Sequence, residues 1–319
     1  MLDRAAFLRA AAAFAAAPLA AGIPSVVRAQ PAAATVRIAT IPIDAGAQAY
    51  YAEDLGFFKR AGIAAEIQSI TNGSAIASAV ASNAVDVGFA NLFSIAAAHK
   101  RGLPFVVIAP AATYTDAAPT SELVVEKNSK IASAKDLNGK TIAVNGLKNI
   151  TQFAPQAWMD QNGGDAASAK FVELPFPEMA AALAAGRVDA ALLAEPSLTQ
   201  ARGTTRVLAK AYSAIAKEFL IGGWFTTTQW AAAHGDVVKR FDDALRDTSA
   251  WANKNHRASA VVLAKYAKID INVLNAMTRA SYPPRLTAAL MQPPIDVSAK
   301  YGLIDGTFPA QELIYAKER

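Results

Sequence analysis

The sequence predicts an α/β protein with two similar lobes, each a mostly parallel sheet flanked by helices. An internal repeat supports this: AVASNAVDVGF at 79–89 and ALAAGRVDAAL at 182–192 share one pattern, 103 residues apart. Each copy contains a small-residue helix end, a turn at Asn83 or Gly186, and a Val-Asp pair that opens an apolar strand. Strand and helix patterns also alternate around both copies, which is typical of parallel sheets. A repeat seen only twice indicates two lobes rather than a solenoid.

An export signal peptide is predicted at residues 1–29. Arg4 and Arg9 form a positively charged start, and the apolar stretch 10–21 is shorter than the roughly 20 residues that span a bilayer. A small-residue cleavage pattern ends at Ala29. The alternative to a signal peptide is an N-terminal helix that lies on a membrane. If the segment is a signal peptide, its sequence does not distinguish the Sec from the twin-arginine export route.

The absence of cysteine and the net charge limit the cellular compartments and the classes of partner to be expected. The 319-residue chain contains no cysteine, which excludes disulfides, a thiolate nucleophile or metal ligand, and a lipid anchored through cysteine. A bacterial periplasmic protein is therefore expected. The formal net charge of +5 falls to +3 when the signal peptide takes away three arginines against one aspartate. That charge is too mild to indicate nucleic acid, so no nucleic-acid partner is expected. We also expect a monomer.

The elements of the first lobe follow from local patterns. Residues 35–40 are β-branched and apolar and predict the first strand. Apolar residues at helical spacing over 48–60, closed by Gly62, predict the first helix. The turn 71–74 carries an N-cap signal for the next helix. The other strands of this lobe are predicted at 64–70, 85–90 and 105–112, and the other helices at 75–82 and 91–101.

Two crossings frame the second lobe. The polar, proline-bearing segment 113–120 is predicted as the first crossing, and 219–227, with its two glycines, as the return. Thr151 is a candidate N-cap, and Pro177 suits the first position of a helix. Between the crossings, strands are predicted at 121–126, 141–145, 170–174, 188–194 and 206–212, and helices at 150–161 and 177–185.

The carboxyl-terminal part is predicted to be helical and to pack on the first lobe rather than form a third domain. Helical periods occur at 236–255, 256–267 and 270–281. The proline pairs at 283–284 and 293–294 are expected to end the helical region. The predicted lobes are therefore 30–116 with 224–319, and 117–223.

Four stretches in this order, TIPIDAGAQAYYAEDLGFFKRAGI, NGSAIASAVASNAVDVGFAN, DLNGKTIAVN and GRVDAALLAEPSL, resemble the solute-binding proteins of nitrate/sulfonate/taurine-type ABC importers. That group includes binders of thiamine-pyrimidine precursors. The resemblance covers about residues 35–300. It implies the type II periplasmic binding protein fold, with two lobes joined by two hinge crossings. It also implies a small-molecule solute, and an ABC permease with its ATPase as partners.

Candidate ligand contacts lie where strands end, because ligands of open α/β sheets bind beyond the carboxyl ends of strands, near helix N-termini. In the first lobe Asp44 either binds a ligand or caps the next helix. Gly73 and Ser74 offer backbone amides to an oxyanion, or form an ordinary turn. Asn91 either contacts a ligand or acts only as an N-cap.

The second lobe supplies a matching set. Asn145, Asn149 and Thr151 follow a strand and carry donors and acceptors, whereas Lys148 in the same loop is interpreted as solvated. Glu195 also follows a strand, and a buried carboxylate needs a partner, either a ligand amine or a structural pair.

Ligand class stays open at this point. Tyr114 and Trp224 flank the crossings and either stack on a solute or fill space between the lobes. Donor-rich loops favour a small anion such as a sulfonate, a carboxylate or nitrate. Asp44 and Glu195 together would favour an added amino group, as in taurine or an aminopyrimidine. No arginine falls in the predicted loops, so no guanidinium clamp on the anion is expected.

The sequence contains no recognisable motif for catalysis or metal binding. Gly139-Lys140-Thr141 has Ala134 where a phosphate loop needs glycine, and a strand rather than a helix follows. The three histidines lack metal-ligand spacing. We therefore expect no catalytic residue, cofactor or metal. An enzyme on the same fold and a sensory ligand-binding domain are the remaining alternatives; the first resembles pyrimidine synthases that use a cysteine-rich motif.

Overall fold

The computed structural model describes residues 33–315, so the predicted signal peptide at 1–29 lies outside the described residues. The strands are β1 Ala34–Thr40, β2 Ile63–Ser69, β3 Val87–Asn91, β4 Phe105–Pro110, β5 Thr113–Thr115, β6 Ser121–Glu126, β7 Thr141–Val144, β8 Lys170–Glu173, β9 Ala190–Ala194, β10 Thr205–Ala209, β11 Glu218–Leu220 and β12 Gly222–Thr227. The helices are α1 Gln48–Asp54, α2 Phe57–Arg60, α3 Gly73–Ala81, α4 Leu92–Lys100, α5 Ile150–Gln161, α6 Phe176–Ala184, α7 Ser197–Ala201, α8 Thr228–Ala233, α9 Gly235–Ala252, α10 His256–Ala267, α11 Ile271–Ala276 and α12 Ala288–Lys300.

Two five-stranded sheets have the same internal order. The first is β2-β1-β3-β12-β4 and the second is β8-β7-β9-β6-β10. In each sheet four strands run in one direction, and the antiparallel strand, β12 or β6, lies between the third and fifth positions. The chain therefore builds the same sheet twice, which confirms the predicted fold of two mostly parallel sheets flanked by helices.

The two crossings pair with each other. β5 leads from the first sheet into β6, and β11 leads back into β12. β5 and β11 form a small antiparallel sheet of their own. Each five-stranded sheet thus receives its antiparallel strand directly after a crossing.

The aspartate of each Val-Asp repeat hydrogen-bonds to the neighbouring strand at the end of the sheet where the parallel strands begin. Asp86 accepts the backbone N–H of Arg37 at 2.8 Å and returns its own N–H to the Arg37 carbonyl. Asp189 and Thr141 make the same pair of bonds in the second sheet. The turns before them are left-handed, with φ of 57° at Asn83 and 65° at Gly186. The repeated motif is therefore structural and lies at the opposite edge from the strand ends that face the cleft.

Tertiary packing changes three local predictions. The single helix expected at 48–60 is two helices, because Gly56 adopts a left-handed conformation between α1 and α2. Asn149, not Thr151, is the N-cap of α5, and its side chain accepts the Thr151 N–H at 2.8 Å. The expectation that the pair 293–294 ends the helical region is wrong, since both prolines lie inside α12.

Helix α12 explains how two consecutive prolines are tolerated. Its N-terminus is capped by Thr287, and the Ser298 hydroxyl donates to the Pro294 carbonyl at 2.7 Å. The helix packs against α4, α5 and β11. Burial of Met291 and Ile295 offsets the backbone bonds that proline cannot make. Helices α9 and α10 pack against α1, beside the first sheet.

Candidate ligand-binding cleft

A polar cavity of about 30 Å³ lies where β1, β3, β7 and β9 end. Asp44 enters it after β1, Asn91 at the end of β3, Asn145 after β7 and Glu195 after β9. Thr120, just before β6, lines it as well. Strand ends of both sheets therefore meet around one space, as expected for an α/β cleft.

Two buried asparagines, Asn91 and Asn145, line this cavity. The Asn91 side-chain oxygen accepts the Ser94 N–H at 3.1 Å and caps α4. The Asn145 side-chain oxygen accepts from the Asn149 amide at 3.2 Å and from the Thr151 hydroxyl at 3.0 Å. Because both oxygens are engaged, each asparagine keeps its NH₂ group as the donor for a ligand.

The Thr120 hydroxyl is a third polar group at the cavity. Thr120 is 3% exposed, and its Oγ1 has no hydrogen-bond partner among the described residues. Its backbone carbonyl is engaged, since it accepts the Glu195 N–H at 2.9 Å. Leaving a buried hydroxyl unpaired costs about 1–3 kcal/mol. A bound ligand or water would remove that cost.

The Asp44 carboxylate, also buried at the cavity, is held by protein groups. Arg279 donates to it through Nε at 3.1 Å and Nη2 at 3.0 Å, and Tyr51 donates its hydroxyl at 3.1 Å. The backbone N–H of Ala280 donates to the second oxygen. Burial opposes the charged form of Arg279, but the Asp44 carboxylate raises the pKa of the guanidinium well above its ordinary value. Asp44 is thus neutralised by the protein itself.

Glu195 is the other carboxylate at the cavity. It accepts the Thr199 N–H at 3.0 Å, the Thr199 hydroxyl at 2.9 Å and the Thr278 N–H at 3.3 Å. Arg202 lies 3.7 Å away, with its side chain 55% exposed. Burial raises the pKa of Glu195, and the hydrogen bonds from Thr199 only partly oppose this. These contacts are the structural pairing that the sequence left open, so the carboxylates do not argue for a ligand amine.

The cleft brings together only part of the predicted set. Asp44, Asn91, Asn145, Thr151 and Glu195 line the cavity. The other five predicted contacts do not line it: Gly73, Ser74, Tyr114, Asn149 and Trp224.

Two of these five, Gly73 and Asn149, are close neighbours of the cavity. Gly73 packs so tightly that an added Cβ would lie 3.1 Å from the Ala90 side chain. Asn149 is buried and positions Asn145 through their amide contact. Ser74, by contrast, is exposed at the start of α3.

The two aromatic candidates are core residues. Trp224 is fully buried, donates its indole N–H to Gln48 at 2.8 Å and packs against Phe89. Tyr114 is buried beside Tyr212, its hydroxyl bonded to Ser213. Neither ring is free to stack on a solute in this arrangement.

Several residues that line the cleft were not predicted from the sequence. Phe89, Phe176 and Tyr212 line it with Ile41 and Ile43. Their apolar patterns indicate core positions, and nothing local distinguishes a cleft wall from a core. Arg279 was missed as well, because it lies 235 residues from Asp44 in the chain. Thr120 and Ile221, within the predicted crossings, and Ser121, beside the first of them, had a positional signal.

The described residues carry no lysine or arginine on the cavity wall and no group of three or more His, Asp or Glu side chains suited to a metal. Within 33–315, no helix has the length and apolar character needed to cross a membrane.

The fold is shared with several solved structures. The alkanesulfonate-binding protein SsuA from Xanthomonas axonopodis pv. citri, bound to MOPS, is 18% identical with a TM-score of 0.75, covering 90% of this chain and 99% of that one. The nitrate-binding protein NrtA from Synechocystis PCC 6803 is 12% identical with a TM-score of 0.74, covering 87% and 84%. The desulfurization enzyme DSZB is 15% identical with a TM-score of 0.66, covering 88% and 96%. At these identities the likeness shows the periplasmic binding protein fold.

Sequence comparison supplies the family. No curated protein matches the chain. The family model described as "NMT1/THI5 like" matches residues 46–259 of the 319. The match spans more than half of the sequence and contains the repeat, both crossings and most of the cleft. The chain belongs to the NMT1/THI5-like family.

Proposed function

We propose that this protein is the solute-binding component of an ABC importer. It captures a small anion between lobe 1, residues 30–116 with 224–319, and lobe 2, residues 117–223. Closure about the two crossings then presents the loaded protein to a membrane permease with its ATPase. The family, the fold and the cleft between two sheets support this proposal.

One observation carries the binding function: donors from both sheets surround a single buried cavity. The amides of Asn91 and Asn145 and the hydroxyl of Thr120 point donors at it, near the N-termini of α4 and α5. Helix N-termini attract negative charge. Since no cation lines the described cavity wall, the site suits a singly charged oxyanion, a sulfonate, a carboxylate or nitrate, better than a doubly charged one.

The compartment follows from the expected leader. We place the mature protein in the periplasm as a monomer, starting near Gln30 after cleavage at Ala29. The mass of the chain recovered from a periplasmic extract measures that boundary.

A catalytic function is less well supported. No histidine lines the cavity among the described residues, and protein partners hold both Asp44 and Glu195. A general base must accept a proton from the substrate, whereas here protein donors already hold both carboxylates. Binding of a thiamine-precursor pyrimidine is the second candidate, because the cavity adjoins an apolar space.

A ligand screen tests the proposal. Thermal unfolding in the presence of sulfonates, carboxylates, nitrate and aminopyrimidines should give a higher melting temperature with one class, because a ligand that binds only the folded state stabilises it. Asn145→Ala should lose that shift, whereas Asn275→Ala, an exposed asparagine on α11, should keep it. If no class shifts the melting temperature, the receptor function is wrong.

A further inference from the structure

A second, larger cavity adjoins the polar one. Its volume is about 190 Å³, and it shares Ile41, Ile43 and Phe176 with the polar cavity. The polar cavity, at about 30 Å³, has room for a head group of only a few atoms, since one water needs about 10–15 Å³. A solute larger than this head group would have to extend into the neighbouring space.

The wall of this second cavity is apolar. Ile70 comes from the end of β2, Pro175 from the start of α6, Pro196 from the segment after β9 and Ile269 from the loop after α10. The polar side chains on it are hydroxyls, and no charged side chain lines it among the described residues. A charged amine placed here would lose water without gaining a counter-charge.

We propose that the solute is an organic oxyanion that carries an apolar, ring-sized group. Its anionic end lies against Asn91, Asn145 and Thr120, and its apolar group fills the second cavity. An apolar cavity of about 150 Å³ holds a benzene molecule, so 190 Å³ admits one ring or a short branched alkyl group. This inference rests on the proposed anion-binding function and deepens it: bare nitrate and taurine leave the apolar cavity empty or place an amine in it.

Calorimetric titration with matched pairs tests the inference. Methanesulfonate is compared with benzenesulfonate, and acetate with phenylacetate, so that each pair shares a head group. We expect the phenyl member to bind roughly hundredfold more tightly, because ring burial is favourable.

Variants locate the effect. Ile70→Ser and Ile269→Ser alter only the apolar cavity, so each should reduce the phenyl preference at least tenfold and leave methanesulfonate binding unchanged. Val261→Ser, at a 63% exposed position on α10, is the matched control and should change neither.

The outcomes separate the two proposals. Equal affinity for methyl and phenyl members, or a phenyl preference that survives both substitutions, overturns the inference and leaves anion capture standing. Failure of all four acids to bind overturns the inference, and failure of nitrate as well overturns the proposed anion capture.

Discussion

The two buried carboxylates at the cavity, Asp44 and Glu195, have different kinds of partner. Asp44 has a guanidinium partner, Arg279, whose side chain is 7% exposed. Glu195 instead accepts hydrogen bonds from Thr199 and Thr278, with Arg202 more distant at 3.7 Å. An ion pair offsets the charge of a buried carboxylate, whereas burial raises the pKa of Glu195 and its hydrogen bonds from Thr199 only partly oppose this. Both effects reduce the repulsion between these carboxylates and a bound anion.

The unpaired hydroxyl of Thr120 gives a prediction at residue scale. Thr120→Val should raise the free energy of unfolding of the unliganded protein by about 1 kcal/mol, because an unsatisfied buried group is removed. The same change should weaken oxyanion binding about tenfold if the hydroxyl donates to ligand. Denaturant unfolding and calorimetry measure the two effects.

Thr248→Val is the matched control for this experiment. Its buried hydroxyl already donates to the Ala244 carbonyl at 2.7 Å, so its removal should lower stability and leave binding unchanged. A Thr120 variant that loses stability without losing affinity would contradict a ligand role for this hydroxyl.

Glu195 predicts a pH dependence. Its pKa is raised above the ordinary value of 4.5, first by burial. The folded state then binds the proton more tightly than the unfolded chain, so this contribution to stability is present below pH 4.5 and is lost as pH rises through the folded pKa. Glu195→Gln should remove that decline, which melting curves between about pH 4 and pH 8 measure.

The exposed Glu53→Gln on α1 is the reference for that comparison. Wild type minus Glu195→Gln should slope downwards with rising pH, beyond any slope that the Glu53→Gln substitution gives. A flat difference curve for Glu195→Gln would mean that folding does not raise the pKa of Glu195.

At the scale of elements, the Val-Asp repeat connects neighbouring strands within each sheet. Asp86 and Asp189 each join the start of one strand to a neighbouring strand by two hydrogen bonds, one from the backbone N–H of the aspartate and one to its carboxylate, at the end of the sheet away from the cleft. Asp86 adds a charged contact, since Arg37 also donates Nη2 to it at 2.6 Å. The conspicuous sequence feature thus supports the site without touching it.

This separation is testable by substitution. Asp86→Ala should lower the free energy of unfolding by about 1–2 kcal/mol, because its charge-assisted hydrogen bonds with Arg37 are lost. The loss is no larger because water screens the ion pair at the partly exposed Arg37 side chain. Asp189→Ala should cost less, since Thr141 offers only its backbone N–H and the ion pair to Lys140 is exposed. Solute affinity should stay at the wild-type value in both variants, and a binding loss at unchanged stability would contradict a purely structural role.

At the scale of the whole molecule, contacts across the cleft hold the two halves together. The Asp44 N–H donates to the Glu195 carbonyl at 3.3 Å, and the Asn72 amide donates to Glu173 at 3.2 Å on the exposed rim. These bonds join elements of the first sheet to elements of the second. The described arrangement is a closed one, held by these polar bonds and by apolar contacts such as the stacked rings of Phe93 and Phe153, whose centroids are 5.7 Å apart.

Solution scattering should detect that motion. The unliganded protein should have a larger radius of gyration than the protein saturated with its solute, because ligand binding favours the closed form of a hinge. Glu173→Ala removes one rim contact and should enlarge the unliganded form without changing the liganded one. Identical radii with and without a bound solute would contradict hinge closure.

The sequence by itself determined the architecture and the position of the cleft. Hydrophobic period, capping residues and turns are local signals, so the order of strands and helices along the chain and the candidates Asn91 and Asn145 could be predicted. Tertiary structure alone decided the chemistry of the cleft. Arg279 reaches Asp44 from 235 residues away, and Thr278 reaches Glu195 from 83 residues away. Such pairings, like the apolar cavity beside them, arise only when distant segments pack, and no local pattern encodes them.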